Sequence, residues 1–378
     1  MSRTTKEILD KARGNWHNIL TEAGIPAALL RHKHTACPIC GGKDRFIFKD
    51  TDGTGKYYCN SHGSNFGAQL LHDHLGGSWS ETYKFLENFL WGGSYTPKAY
   101  VGSISGNYAD LSEQEIADRK ERLLNTWKRG VKVSKDDRYD QYLKSRGIDL
   151  PAEDFAVLAK VSRLIKYLGY AQFVYDPKTQ KSTNHYYGSF PTILTQIVSG
   201  ETGKSVNIHR NYLAKESVGK AAIFDMNDLD EDGQPTQLPS RKVMKASVPT
   251  MSGCYIPLFP AEGETKLGVG EGIETMLAVR MLAHNKGLSL PVWPTYSADM
   301  LAGLKLPAEV SSTLQELHIF ADNDKVDKNG HRKGIECAKK LKAKIEEQYS
   351  TIKVFIHVPE TEGDDWNDVL LKGGELPF

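Results

Sequence analysis

Apolar positions along residues 5–23 recur at helical spacing, with Ile8, Ala12, Trp16, Ile19, Leu20 and Ala23 on one face. The period predicts one amphipathic helix there. Phe66, Leu70, Leu71 and Leu75, then Trp79, Tyr83, Leu86 and Phe89, predict a second helical stretch. Residues 91–111 are rich in Gly, Ser and Tyr, have no period and read as a linker. Helical patterning resumes over 111–129 and 137–146. From 160 to 262 the runs shorten and alternate, and FVYDPKTQKSTNHYYG and PTILTQIVSGETGKSVNIHRNYL read as hairpins. From 265 onward the order is strand, helix, strand, helix. LGVGEG ends a strand before a helix over 273–284, and LHIFADND is a strand running into an acidic loop. Residues 332–348 are helical, KVFIHVP is a strand, and GDDWNDVLL opens a last short helix. That alternation predicts a mainly parallel sheet covered on both faces.

The chain's 378 residues suggest two to four domains at roughly 100–200 residues each. A 39% hydrophobic content excludes wholesale disorder. No apolar run nears the ~18 residues of a membrane span, and MSRTTKEILDKARGNW lacks a secretory apolar core. The expectation is a cytoplasmic protein without membrane contact. With 48 Lys+Arg against 47 Asp+Glu, any nucleic-acid surface must be a local one.

Cys37-Pro-Ile-Cys40, eighteen residues, then Cys59-Asn-Ser-His62 has the spacing of a zinc ribbon. Two tight knuckles brought together by a hairpin close a tetrahedron with no open position, so the zinc would be structural. His32 and His34 are alternatives to His62 as fourth ligand. Between the knuckles, Lys43, Arg45, Lys49 and Lys56 are interleaved with Phe46, Phe48, Tyr57 and Tyr58. Cations and rings on a small sheet suit single-stranded nucleic acid, though Phe46 and Phe48 equally suit the ribbon's own core.

A second constellation occupies the last third. Glu271 follows the strand KLGVG, Asp322 and Asp324 follow ELHIFA, and Asp364, Asp365 and Asp368 follow KVFIHVP. Each lies past the carboxyl end of a strand, where open α/β sheets form their sites. Clustered carboxylates call for a cation, and hard oxygen donors suit Mg²⁺. Asp365 also reads as a helix N-cap. GETGKS at 200–205 imitates a phosphate loop but has Val198 where that loop needs glycine and sits between strands, so it reads as a hairpin turn. Asp228, Asp230 and Asp232 imitate a calcium loop, but Pro239 stands where its closing Glu belongs. The lysines from Lys339 to Lys344 read as a solvated helix face, whereas Arg210, Lys242 and Lys245 lie at strand ends where cations could hold a triphosphate or template.

Together these residues resemble the primases of phages, satellite phages and plasmids of the alpha-protein type. ARGNW, GIP and CPICGGKDRF resemble their zinc ribbon, with His62 replacing the usual fourth cysteine. EGIETML, ADND and DDWNDVL resemble the acidic motifs of their Toprim unit, and HRNYL and RKVMKAS the basic segments before it. The resemblance implies an α+β multidomain chain: a zinc-ribbon domain with flanking helices over 1–92, a linker over 93–115, the mixed α+β basic part of the catalytic core over 116–262, and a Toprim domain over 263–378. It implies a DNA primase, a nucleotidyltransferase making short RNA primers from ribonucleoside triphosphates on single-stranded DNA in the replication of a mobile element. Glu271, Asp322 and Asp324 would be catalytic and would bind Mg²⁺ or Mn²⁺, with Asp365 an additional ligand. Arg210, Lys242, Lys245, Lys43 and Arg45 would contact nucleotide or template. No P-loop precedes Phe378, so a replicative helicase would be a separate partner. A Toprim nuclease and a non-catalytic, recombination-mediator-like DNA-binding protein are the alternatives.

Overall fold

A glycine splits the first predicted helix. Thr4 caps α1 (Thr5–Ala12) in a reciprocal box with Glu7, and Gly14, at φ +78°, turns the chain before α2 (Trp16–Glu22). The apolar period runs through the break, which is why the sequence suggests one helix. In the computed structural model every residue is described except 1–2, 40, 51, 60–62, 76–78, 93–112, 177–180, 230–232, 249 and 327–331. The chain forms two compact units, residues 1–110 with 173–185 and residues 111–172 with 186–378.

In the first unit, β1 (Thr35–Cys37), β2 (Gly41–Phe48), β3 (Tyr57–Cys59) and β4 (Gly63–Asn65) form an antiparallel sheet in chain order. Helices α3 (Gly67–Leu75) and α4 (Trp79–Trp91) follow. Ile8, Trp16, Ile19 and Leu20 share a core with Phe46, Phe48, Tyr57, Leu70 and Phe85. Trp16 lies so close over Gly67 that a Cβ there would meet its ring at 2.2 Å.

The second unit begins with α5 (Glu113–Lys128), so helix already occupies the last three residues expected to be linker; 93–112 lie outside the described residues. Then come β5 (Val131–Lys132), α6 (Arg138–Ser145) and α7 (Ala152–Val161). β6 (Ser162–Asp176), β7 (Lys181–Ser199), β8 (Ser205–Tyr212), β9 (Ile223–Leu229), β10 (Pro235–Leu238), β11 (Arg241–Val243) and β12 (Cys254–Tyr255) complete the middle region. Its main sheet has the order β11-β8-β7-β6-β5, with β12 pairing β7, while β9 and β10 form a separate antiparallel pair. The GETGKS segment is the β7–β8 turn, as expected.

The last part is β13 (Lys266–Gly270), α8 (Ile273–Asn285), β14 (Val292–Pro294), α9 (Ala298–Gly303), α10 (Ala308–Ser311), β15 (Glu316–Phe320), α11 (Lys333–Gln348), β16 (Lys353–His357) and α12 (Trp366–Leu371). Its sheet is parallel throughout, in the order β14-β13-β15-β16. The strand β14 and the short helices α9 and α10 are additions to the expected order. Two cores cover the sheet: Met276 and Leu277 of α8 share one with Trp366, and Leu301 of α9 shares the other with Ala338 and Leu341 of α11. Among the described residues no helix is long and apolar enough to cross a membrane.

Candidate active site

The chain leaves β13 for β14 on one side and reaches β15 on the other, so the strand order reverses between β13 and β15. Ligands bind outside the carboxyl ends of strands at such a point. Gly270, Phe320 and His357 pair in register, so the three strand ends lie level. Gly270 has no room for a side chain: a Cβ would stand 2.4 Å from Met276 Sδ and 2.8 Å from Phe320 O. The next residue is Glu271. Two residues past β15 is Asp322, with Asp324 beyond it.

Asn323, between these two acids, organises the loop. It is buried. Its Nδ2 donates to Pro359 O at 2.9 Å and its Oδ1 accepts from Arg332 Nη1 at 2.6 Å. Its backbone N–H donates to Asp364 O at 3.0 Å. The loop after β16 is thereby tied to the loop after β15, which brings the start of α12 to the acids. Asp365 is the N-cap of α12, in a reciprocal box with Asp368. Its Oδ1 accepts from the backbone N–H groups of Asn367 and Asp368 at 2.7 and 2.9 Å. The capping reading of Asp365 therefore holds, and its charge still bears on Asp322.

Burial pushes the Asp322 carboxyl up to about 7, helped by the charges of Asp365, Glu271, Asp324 and Asp368. Glu271 is also raised, by burial and then by Asp324, while Lys333 and Arg241 pull it back. Asp322 Oδ1 is buried without a hydrogen-bond partner. A hard divalent cation would satisfy that oxygen and relieve the repulsion. Among the described residues no three His, Cys, Asp or Glu side chains form a group that could hold a metal ion. Like charges keep apart, and Mg²⁺ needs only one or two carboxylates because it retains waters and takes substrate phosphates. By donor type, Asp322 and Asp324 fit such an ion.

Strand alternation sorts the cations. Arg241 pairs with Asn211, and Lys242 with Arg210. Lys242 and Arg210 turn from the acids into an aromatic cluster. Lys242 Nζ lies 4.2 Å from the centre of the Tyr170 ring and donates to Gln172 Oε1 at 3.1 Å. Arg210 Nη1 donates to Tyr212 Oη at 3.1 Å and its Nη2 to Val243 O at 3.0 Å. Burial and Arg210 push Lys242 down to about 8. Lys245 is exposed beyond β11. The other face carries Arg241, and the loop between β8 and β9 carries Lys220; sequence reasoning passed over both. They flank the buried Glu274 of α8, Arg241 Nη1 at 3.4 Å from Oε2 and Lys220 Nζ at 3.6 Å from Oε1. The sequence signal for Arg241 was the same strand-end position that singled out Lys242, read one residue out of register; Lys220, in the loop between β8 and β9, gave none.

In the first unit, Cys37 and Cys59 are buried on β1 and β3 of one sheet. Two buried thiols on neighbouring hairpins are donors suited to zinc. Cys40 and His62 lie outside the described residues, and Lys43 is described only in its backbone. Phe46, Phe48 and Tyr57 are buried, so they belong to the ribbon's core. Tyr58, opposite Ile47, is 42% exposed, and Arg45 is half-buried.

Residues 32–68 match the zinc-binding domain of primase-helicase, and residues 266–375 match the Toprim domain. The chain joins a primase zinc-binding domain to a Toprim domain. That is the domain content of the primase type its motifs resemble. Residues 117–227 match a domain of unknown function. Among solved structures, the chain is similar to a DnaG primase catalytic domain bound to ssDNA, at 13% identity over 68% of this chain and 79% of that one, with a TM-score of 0.37. It is also similar to the primase fragment of the bacteriophage T7 primase-helicase protein, at 12% identity over 90% and 94%, with a TM-score of 0.31. Neither overlap is close enough to bear on the geometry of the site.

Proposed function

We propose that the protein is a DNA primase that joins ribonucleotides into short RNA primers on single-stranded DNA, in the cytoplasm of a cell hosting a mobile element and beside a separate helicase. The observation that carries this reading is the buried, unpartnered Asp322 oxygen among four other carboxylates at a sheet's switch point. Asp322 and Asp324 would hold Mg²⁺ or Mn²⁺, which supplies charge stabilisation to phosphoryl transfer when bound. Glu271, made more basic by burial, would accept the proton of the attacking 3′-hydroxyl. Arg241 and Lys220 would receive the triphosphate of the incoming nucleotide. Arg210 and Lys242, on the opposite face, would serve the template, with Lys245 and the ribbon's Lys43 and Arg45.

The test is primer synthesis on mixed-sequence single-stranded DNA with labelled ribonucleotides. Wild type should yield short template-dependent RNAs, and Glu271→Gln should yield at most about a hundredth as much. Equal product from both proteins would remove Glu271 from the mechanism. Cleaved DNA without ribonucleotides would favour the nuclease.

The ribbon supports a narrower expectation. Of the four aromatics between its knuckles, Tyr58 alone is exposed, so Tyr58→Ala should weaken single-stranded DNA binding about tenfold, a stacked base being worth about 1–3 kcal/mol. Fluorescence anisotropy would measure it. An unchanged dissociation constant would take template stacking away from this face.

A further inference from the structure

Glu274 is 5% exposed, carries a charge and sits in the first turn of α8, yet it has no place in the chemistry described above. Its surroundings are unusually complete. Tyr142 of α6 donates its hydroxyl to Oε1 at 2.6 Å, and Asn211 Nδ2 of β8 donates to the same oxygen at 3.3 Å. Lys220 and Arg241 take the remaining directions. One carboxylate thus gathers groups from four separate stretches of chain, three residues along from Glu271.

The two cations are not consumed by it. Arg241 keeps 44% of its side chain exposed and Lys220 33%. Arg146 adds its own field at Lys220, so one negative charge faces three positive ones. The loop that presents Lys220 is held independently: Arg138 Nη2 donates to the carbonyls of Ala214, Lys215 and Ser217.

We propose that Glu274 is a positioning residue for the nucleotide: its carboxylate fixes Lys220 and Arg241 beside Glu271 as a rigid, net-positive shelf for the triphosphate. This rests on the primase reading for its ligand. Two effects oppose each other when the charge is removed. The shelf becomes more positive by one unit, which favours an anion. The cations also lose the group that holds them together against their mutual repulsion, and Lys220, already lowered by burial and by its cationic neighbours, loses the partner that keeps it protonated. Both cations reach the carboxylate at salt-bridge distance, so loss of position should prevail.

The experiment compares wild type with Glu274→Gln, Arg241→Gln and the double variant. It measures equilibrium binding of a fluorescent ribonucleoside triphosphate and, separately, KM and kcat in primer synthesis. Glu274→Gln should raise the dissociation constant and KM at least tenfold and leave kcat within about threefold. On the Arg241→Gln background its effect should be smaller than in wild type, because one of the two cations it acts through is already gone. A scaffold role alone would give additive losses with unchanged KM in the folded fraction. Unchanged or tighter nucleotide binding by Glu274→Gln overturns the proposal. Should Glu274→Gln fail to fold, Tyr142→Phe, which loosens the carboxylate and keeps its charge, should raise KM at least threefold, and an unchanged KM there also overturns it. A wild type that binds nucleotide but makes no primer would overturn the primase reading, while the binding series would still decide the role of Glu274.

Discussion

Asp322→Asn is expected to lower primer synthesis at least about a hundredfold and, in magnesium-free buffer, to make the protein more stable at pH 8. The two effects have one cause. Asp322 is half-buried with its Oδ1 enclosed, and desolvation together with the charges of Asp365, Glu271, Asp324 and Asp368 raises its carboxyl from an ordinary 3.8 to about 7. Between these values the folded protein holds a proton that the unfolded chain has released. Stability therefore falls as pH rises from about 4 to about 7 and stays low above that. An amide of the same shape removes this dependence. Thermal denaturation at pH 5 and pH 8 would show wild type losing midpoint temperature across the interval and Asp322→Asn losing less. Added Mg²⁺ should stabilise wild type at pH 8 and leave the variant nearly unchanged, since a ligand stabilises only the state that binds it. At limiting Mg²⁺, synthesis by wild type should rise with pH toward about 7, where the carboxylate becomes available. An active Asp322→Asn, or identical pH profiles for the two proteins, would sink the assignment.

The acids were legible because their signal is local. Each follows an apolar run that could only be a strand, and parallel strands in register bring such ends to one edge. The placement of the cations was not, because it turns on a single residue of register. Arg241 and Lys242 are neighbours in a three-residue strand, and alternation sends one toward Glu274 and the other over Tyr170. No pattern in RKVMKAS says which. Glu274 looks like an ordinary acidic residue in a helix's first turn, and the hydrogen bonds it accepts inside the fold come from Tyr142 and Asn211, 132 and 63 residues away. The split at Gly14 was hidden because the apolar face continues across it, and β14 was missed because three residues are too few to show a period. Asn323 gave no signal, being one polar residue between two more conspicuous ones.

Removing zinc should produce the other large effect. Three of the ribbon's four strands are three residues long. Strands that short do not persist by pairing alone. Helices α1 to α4 bury Trp16, Leu70 and Phe85 against the ribbon's Phe46 and Tyr57, so the sheet's loss should carry the unit's core with it. Metal binding would then be folding free energy for this unit. The second unit has its own cores and should be indifferent. Purified protein should carry one zinc per chain by elemental analysis, and a zinc-selective chelator should abolish one melting transition and leave the other in place. Cys59→Ser should do the same without chelator. In function the two halves should separate: initiation on single-stranded DNA should fall at least tenfold, because the ribbon proposed to hold the template is gone, while extension of a preformed RNA primer survives, because Glu271, Asp322 and Asp324 are untouched. Equal loss of initiation and extension would mean that the acids depend on the ribbon. A full-strength initiation assay after zinc removal would mean that the template is read elsewhere.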